Sequence, residues 1–138
     1  MSWVRVAVVV ILGSVASACS VGKDTKAAES AVSTFREQLS KSAFGEIYNA
    51  AADDWKKSIS REDSDAFLGA VNRKLGAVKS STQTGWRDNA TTSGHFVTLV
   101  YHTKFENGDG DETFVYRLED GRSVLAGYHI NSMAMLIK

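Results

Sequence analysis

Residues 95–118, HFVTLVYHTKFENGDGDETFVYRL, decide the fold because apolar side chains recur at every second position on both sides of a glycine-rich stretch. The recurring residues are Val97, Leu99, Tyr101 and Phe105 before that stretch and Phe114, Tyr116 and Leu118 after it. A period of two places such residues on one face of a strand. The stretch itself, Asn107–Gly110, is typical of a hairpin turn. The segment therefore predicts an antiparallel hairpin with one buried face.

The chain after this hairpin contains a second turn signal, Asp120-Gly121, and a last strand over Ser123–Met133. A two-residue turn pairs Leu118 with Ser123, whereas a three-residue loop that ends at Gly121 pairs Leu118 with Arg122. The two registers differ in the residues that face the core, which are Leu125, Gly127 and His129 in the first and Val124, Ala126, Tyr128 and Ile130 in the second. We favour the second register because it buries more apolar side chains and leaves the histidine in solvent.

The chain before the hairpin is more polar. Ala77–Trp86 is rich in Ser and Thr and predicts a strand at an edge or a bend of the sheet, and residues 88–94, DNATTSG, predict a loop. The sheet is therefore expected to be a curved antiparallel meander of about four strands.

Three amphipathic helices are predicted before the sheet, because apolar residues recur there with the spacing i, i+3, i+4 and i+7. The three stripes are Ala28, Ala31, Val32, Phe35 and Leu39; Phe44, Ile47, Tyr48, Ala51 and Trp55; and Phe67, Leu68, Val71 and Leu75. Ser42 is expected to cap the second helix and Ser60 the third, which should end at Gly76. The sequence thus predicts an α+β fold, with three N-terminal helices packed on one face of the sheet.

Residues 1–18 predict an export signal. Met1–Arg5 is a short positive start, Val6–Leu12 is an apolar run, and Ala16–Ala18 supplies small residues before Cys19. The run is shorter than the about 20 apolar residues that a membrane-spanning helix needs. Cleavage by the ordinary signal peptidase, which recognises A-x-A, and an uncleaved anchor are the two alternatives to the lipoprotein interpretation that follows.

Val15–Cys19, VASAC, resembles a bacterial lipobox, in which the cysteine thiol is acylated before the signal is cut. Cys19 is the single cysteine of the chain, so an intramolecular disulfide does not account for it. We therefore predict an exported lipoprotein that a lipid such as palmitate on Cys19 anchors to a bacterial membrane. Ser20 favours the periplasmic side of the outer membrane if the host has two membranes. The polar segment Ser20–Lys26 is expected to be a tether.

The charges of the chain are balanced, with 16 Lys+Arg and 16 Asp+Glu. A nucleic-acid partner would need a basic patch or stripe, so no nucleic acid is expected. Residues 27–138 are enough for one domain with a single core and too few for two. The expected organisation is therefore a signal peptide (1–18), a lipidated cysteine with its tether (19–26) and one α+β domain (27–138).

Several positions resemble a family of short bacterial exported proteins of unknown function. They are Leu75-Gly76, Gly94, Tyr101, Phe105, Glu112, Asp120-Gly121 and Gly127-Tyr128, and the similarity spans residues 28–133. Such domains are similar to the nuclear transport factor two-like and cystatin-like group, in which a curved sheet wraps around helices to form a cone. The resemblance implies a cone here but no function, since that fold hosts hydrolases, isomerases, ligand carriers and structural modules.

The candidate catalytic and metal-binding residues do not converge in the sequence. His95 and His102 are an odd number of residues apart on one strand and hence on opposite faces, and His129 is two strands away. Zinc needs three or four ligands, so no metal site is predicted. No other cofactor and no catalytic residue is predicted either. Core packing is the favoured interpretation of the aromatic set Trp86, Tyr101, Tyr116 and Tyr128, and the lining of a small-ligand pocket is the alternative.

The function that these observations favour is a non-catalytic, lipid-anchored envelope module that binds an envelope protein or a small ligand. A structural scaffold of the envelope is a close alternative. The other alternative is a small hydrolase or isomerase that uses the interior of the cone, with an acid such as Glu112 beside the tyrosines. A pocket with a convergent carboxylate or histidine would favour the enzyme, and a filled cone would favour the scaffold.

Overall fold

Four helices precede the sheet and a short fifth helix follows it. The structure is a computed structural model that describes residues 17–137, so most of the predicted export signal lies outside the described residues. The helices are α1 (Ser17–Ser40), α2 (Phe44–Ala50), α3 (Asp53–Ser58), α4 (Arg61–Leu75) and α5 (Met133–Leu136). The strands are β1 (Val78–Thr91), β2 (Gly94–Phe105), β3 (Gly108–Glu119) and β4 (Arg122–Asn131). The predicted α+β class is confirmed, with one more helix before the sheet than expected.

The strands form one antiparallel meander in the order β1-β2-β3-β4. Two-residue turns join them, and the pairs that flank these turns are Thr91 with Gly94, Phe105 with Gly108 and Glu119 with Arg122. The pairing shifts twice between β1 and β2 and once between β3 and β4. Because bulges bend a strand and increase its twist, the sheet is curved, as predicted.

The glycine-rich stretch Asn107–Gly110 does not form the turn that its sequence predicts. The two turn residues are Glu106 and Asn107, and the following strand begins directly after them. Gly110 is buried within β3, where an added Cβ would lie 3.1 Å from the Cβ of Ser132. This glycine is therefore needed for close packing against the C-terminal segment rather than for a turn.

Strand β1 is longer than predicted. The expected loop over residues 88–94 is reduced to the turn residues Thr92 and Ser93, because β1 continues to Thr91. The prediction of an edge position is confirmed, since β1 pairs with β2 alone. Most of its side chains are exposed, which explains its polar composition.

The turn between β3 and β4 has two residues, so the favoured three-residue loop is wrong. Leu118 pairs with Ser123, and the turn residues Asp120 and Gly121 have φ angles of 50° and 75°. Two successive positive φ angles are what a type I′ hairpin turn requires. Asp120-Gly121 therefore forms the two-residue hairpin turn that is typical of this dipeptide.

A bulge at Ala126 then reverses the alternation within β4. The pairing skips Ala126 after Leu125 pairs with Tyr116, and the extra residue changes the face of every later side chain. Leu125 and Tyr128, three residues apart, are therefore both buried, whereas His129 is exposed. Neither of the two simple registers gives this pattern.

The apolar stripe of α1 is buried as predicted, with Ala28, Val32, Phe35 and Leu39 in the core. The expected tether, Ser20–Lys26, is also part of α1. At about 1.5 Å per helical residue, this segment spans about 10 Å instead of the longer reach of an extended chain.

The second predicted helix is interrupted and forms α2 and α3. Ala51 and Ala52 between them are extended, and the Ala52 N–H donates to the carbonyl of Leu125 in β4 at 2.8 Å. This bond to the sheet replaces a bond within a helix, so the apolar stripe continues although the helix does not. Ser42 is not the N-cap, which is Ala43; Ser42 has a φ of 56°.

Helix α4 begins and ends where the sequence predicts. The Ser60 hydroxyl accepts a hydrogen bond from the Asp63 N–H at 3.1 Å, as an N-cap residue does. Gly76 follows the last helical residue with a φ of 74°. The helix buries Leu68, Val71 and Leu75 completely, so its predicted apolar face is confirmed.

Candidate functional site

The four aromatic residues that the sequence singles out do not surround one pocket. Trp86 lies on the edge strand β1 and is 56% exposed, whereas Tyr101, Tyr116 and Tyr128 are buried. Tyr128 is packed in the core, with its ring centroid 4.8 Å from that of Phe35. The three tyrosines therefore lie beneath the helices, whereas Trp86, which pairs with the buried Leu99 and so points to the same side of the sheet, stays exposed on the edge strand.

A buried carboxylate, Glu112, lies at the centre of this covered side. Its Oε2 accepts hydrogen bonds from Arg36 Nη2 at 2.6 Å and from Thr103 Oγ1 at 2.7 Å, and its Oε1 accepts one from the Tyr128 hydroxyl at 2.8 Å. Ser81 Oγ lies 2.8 Å from Arg36 Nη2 and 2.9 Å from Thr103 Oγ1. In this Glu112 cluster, α1 and each of the four strands contribute one side chain.

The Glu112 cluster has a structural role, because it connects α1 to the strands through hydrogen bonds. The Glu112 side chain is 1% exposed, and a buried charge is tolerated only when it is paired and hydrogen-bonded. Both of its oxygens already accept bonds from protein donors, whereas a general acid or base must reach a substrate. The sequence signal for this site is that Glu112 lies in register with Phe114 and Tyr116 on the apolar face of β3.

The tyrosine hydroxyls near this cluster stay protonated. Burial raises the pKa of Tyr128 well above its ordinary value, and the adjacent Glu112 carboxylate raises it further. Burial likewise raises the pKa of Tyr116 and, to a smaller extent, that of Tyr101. Tyr128 therefore acts as a hydrogen-bond donor to Glu112.

A pocket of about 200 Å³ opens between α1, α2 and the β3–β4 hairpin. Its lining residues are Ala31, Thr34, Phe35, Gln38, Ile47, Ala50, Tyr116, Ser123 and Leu125, and none of these described residues is a carboxylate or a histidine. The hydroxyls of Tyr116 and Ser123 are buried and have no hydrogen-bond partner among residues 17–137. An unpaired buried polar group costs about 1–3 kcal/mol, so two wall residues of this pocket carry unmet hydrogen bonds.

A more polar depression of about 380 Å³ adjoins this pocket, and Ala50 lines both. The charged residues on its wall are Asp53, Lys56, Glu119 and Arg122. We call the pocket and the depression together the α2 groove. The groove combines an apolar pocket with a rim of both charges.

In the described part of the chain, no helix is both long enough and apolar enough to cross a bilayer. No protein-family model and no curated protein matches the chain.

Proposed function

We propose that the chain is the precursor of an exported bacterial lipoprotein, anchored through a lipid on Cys19, whose domain is a non-catalytic binding module. Export and lipid anchoring are supported by the positive start, the apolar run and the lipobox-like Val15–Cys19. Ser20 supports placement on the periplasmic side of an outer membrane.

The observation that carries the binding function is the pair of unpartnered hydroxyls in the wall of the apolar pocket. Tyr116 is 2% exposed, and its hydroxyl and that of Ser123 lack partners in the described chain. Both oxygen atoms are buried, so a partner that fills the pocket with an apolar group would pair with them only after the Tyr116 and Ser123 side chains turn towards it.

The size of the pocket favours a segment of a partner protein as its occupant. Its volume of about 200 Å³ lies below the about 300–1,000 Å³ of pockets that enclose drug-sized ligands. A single apolar side chain suits this space, and the charged rim beside it suits the polar flanks of a peptide. We therefore propose that the α2 groove binds a segment of another envelope protein.

The enzyme alternative has less support. The pocket lining lacks a carboxylate and a histidine among the described residues, and the Glu112 carboxylate is already bonded by Arg36, Thr103 and Tyr128. A scaffold without a binding site has less support as well, because a filled domain would not leave an open pocket beside a charged rim.

The anchor is tested by the substitution Cys19→Ser. Because acylation needs the thiol, this variant is expected to lose the lipid, and the protein should leave the membrane fraction or accumulate as precursor. Ser20→Ala, which keeps the thiol, is the matched control and should remain acylated. Mass spectrometry of the N-terminal peptide measures both. An unmodified Cys19 at the N-terminus of the wild-type protein would show that the anchor is not a lipid.

The α2 groove is tested by cross-linking in the host cell. A photoreactive phenylalanine analogue at Ala50, an exposed residue shared by both depressions, is expected to give an adduct of one discrete mass. Thr34→Trp, placed at the exposed edge of the pocket lining, should abolish this adduct. Ser33→Trp, its exposed neighbour on α1, should leave it unchanged.

The blocking variant decides the interpretation of this experiment. If the adduct persists with Thr34→Trp, or disappears equally with Ser33→Trp, the pocket does not hold the partner. Unchanged melting temperatures of both variants are the required control, because loss of folding would remove any adduct.

A further inference from the structure

A second group of side chains converges at the other end of α1, away from the α2 groove residues. Asp24 of α1, Asp88 of β1 and His95 of β2 each offer one ligand atom, and these atoms lie within 4.8 Å of one another. All three side chains are half-buried. Three potential metal ligands therefore come from three separate elements to one place.

The fold explains why these side chains meet. Asp24 lies four residues before the fully buried Ala28, so both occupy the sheet-facing side of α1. Asp88 pairs with the fully buried Val97, and directly opposed residues of antiparallel strands point to the same side. His95 lies two residues before Val97 and hence on that side too.

The charges of this group are unbalanced. His95 Nε2 lies 2.5 Å from Asp88 Oδ1. Within residues 17–137, His95 is the one basic residue that forms an ion pair with Asp88. The Asp88 side chain is 11% exposed, and its second oxygen, Oδ2, is buried without a hydrogen-bond partner in the described chain. The carboxylates of Asp24 and Asp88 thus lie beside a single imidazole. The nearly buried Oδ2 of Asp88 has no hydrogen-bond partner in the described chain, which is unfavourable unless a cation is present.

We propose that Asp24, Asp88 and His95 bind one divalent transition-metal ion, with Zn²⁺ as the ion that suits them. One imidazole nitrogen and two carboxylate oxygens are ordinary zinc ligands, and three protein ligands leave the fourth position to water. A Zn²⁺ ion balances the two carboxylates while the imidazole is neutral. On binding, the metal takes the place of the hydrogen bond between His95 Nε2 and Asp88 Oδ1, and the neutral imidazole carries its one proton on Nδ1.

The distances are compatible with this site after small side-chain movements. Ligands at about 2.0–2.2 Å from a tetrahedral ion are about 3.3–3.6 Å apart. His95 Nε2 and Asp88 Oδ1, 2.5 Å apart, must therefore separate by about 1 Å, and the Asp24 ligand atom, which lies within 4.8 Å of the other two, must lie at a similar distance from both. Rotation of these half-buried side chains supplies such movements without displacing the backbone. The site is hard to recognise in the sequence because it contains one histidine and two distant aspartates.

A second histidine provides an internal control. His102 Nδ1 lies 2.8 Å from Asp111 Oδ1, and Asp109 Oδ2 lies 3.6 Å from His102 Nε2. All three of these side chains are about half exposed. This group has the same residue types but is open to water, so its carboxylates have no need of a metal.

The test measures binding of ZnCl₂ to the full chain in detergent, by equilibrium dialysis and by the melting temperature. The wild-type protein is expected to bind one zinc per chain and to melt at a higher temperature when zinc is present. Asp24→Asn and His95→Ala should each weaken zinc binding at least tenfold. Loss of a residue that only hydrogen-bonds to a metal ligand already lowers metal affinity by about 10–100-fold. His102→Ala should bind zinc like the wild type.

Asp24→Asn is the decisive variant because its half-buried side chain can change without opening the core. Zinc affinity that is unchanged in Asp24→Asn, or that falls as far in His102→Ala as in His95→Ala, would overturn the proposed site. A wild-type protein that binds no zinc and shows no zinc-dependent rise in melting temperature would overturn it as well.

Discussion

Replacement of Arg36 by methionine is expected to lower the free energy of unfolding by about 3–5 kcal/mol, the cost of leaving a buried charge without its partner. The Glu112 side chain that would be left behind is 1% exposed, and that of Arg36 is 19% exposed. Arg36 also lies over the Tyr101 ring, with its guanidinium carbon 4.9 Å from the ring centroid. Urea unfolding followed by circular dichroism measures the change.

Two further variants show whether the charge itself is responsible. Lys41→Met, directly after the same helix, breaks a solvent-exposed pair with Glu37, and such pairs contribute little. The double variant Arg36→Met/Glu112→Gln removes the charge but keeps an acceptor for the remaining donors, so it should be more stable than Arg36→Met alone. If Arg36→Met costs no more than Lys41→Met, the Glu112 cluster does not hold α1 to the sheet.

The sequence predicted the faces of the regular elements well, because burial there follows a local period. The stripes of α1 and α4 and the alternating faces of β2 and β3 are of this kind. The break between α2 and α3 could not be predicted in the same way. It depends on a hydrogen bond from Ala52 to Leu125, residues far apart in the sequence, and the apolar stripe runs across it unchanged.

The register of β4 shows a second limit of sequence patterns. The Asp120-Gly121 signal predicted a two-residue turn by itself, but the apolar pattern of the last strand favoured a longer loop. The alternation of faces holds only while each residue has one partner across the ladder. The bulge at Ala126 breaks that condition, so Leu125 and Tyr128 are both buried, and no residue type marks the bulge in advance.

The Glu112 cluster could be predicted in part. The position of Glu112 on the apolar face of β3 follows from alternation with Phe114. Its partners could not be predicted, because Arg36 is 76 residues away in the sequence and the bulge in β4 decides that Tyr128 reaches the carboxylate. For the same reason the sequence could not tell which tyrosine lies at the pocket.

Truncation of Tyr128 to alanine is expected to lower the free energy of unfolding by about 3–5 kcal/mol, the range for large buried aromatic side chains. Its ring packs against Phe35 and Phe114, with centroids 4.8 Å and 5.0 Å away. Tyr128→Phe keeps this packing but removes the donor to Glu112 Oε1. Because hydrogen bonds to charged groups contribute about 1.5–3 kcal/mol, this variant should lose about that amount.

Tyr116→Phe is the matched comparison, and here the structure predicts the opposite result. The Tyr116 hydroxyl is buried without a partner in the described chain, so its removal relieves a desolvation penalty instead of breaking a bond. Stability in urea should therefore be unchanged or higher than that of the wild type. A loss as large as that of Tyr128→Phe would mean that the Tyr116 hydroxyl already has a partner within the protein. The α2 groove would then lose the unmet hydrogen bond on which its proposed binding function rests, whereas the core role of Tyr128 would stand.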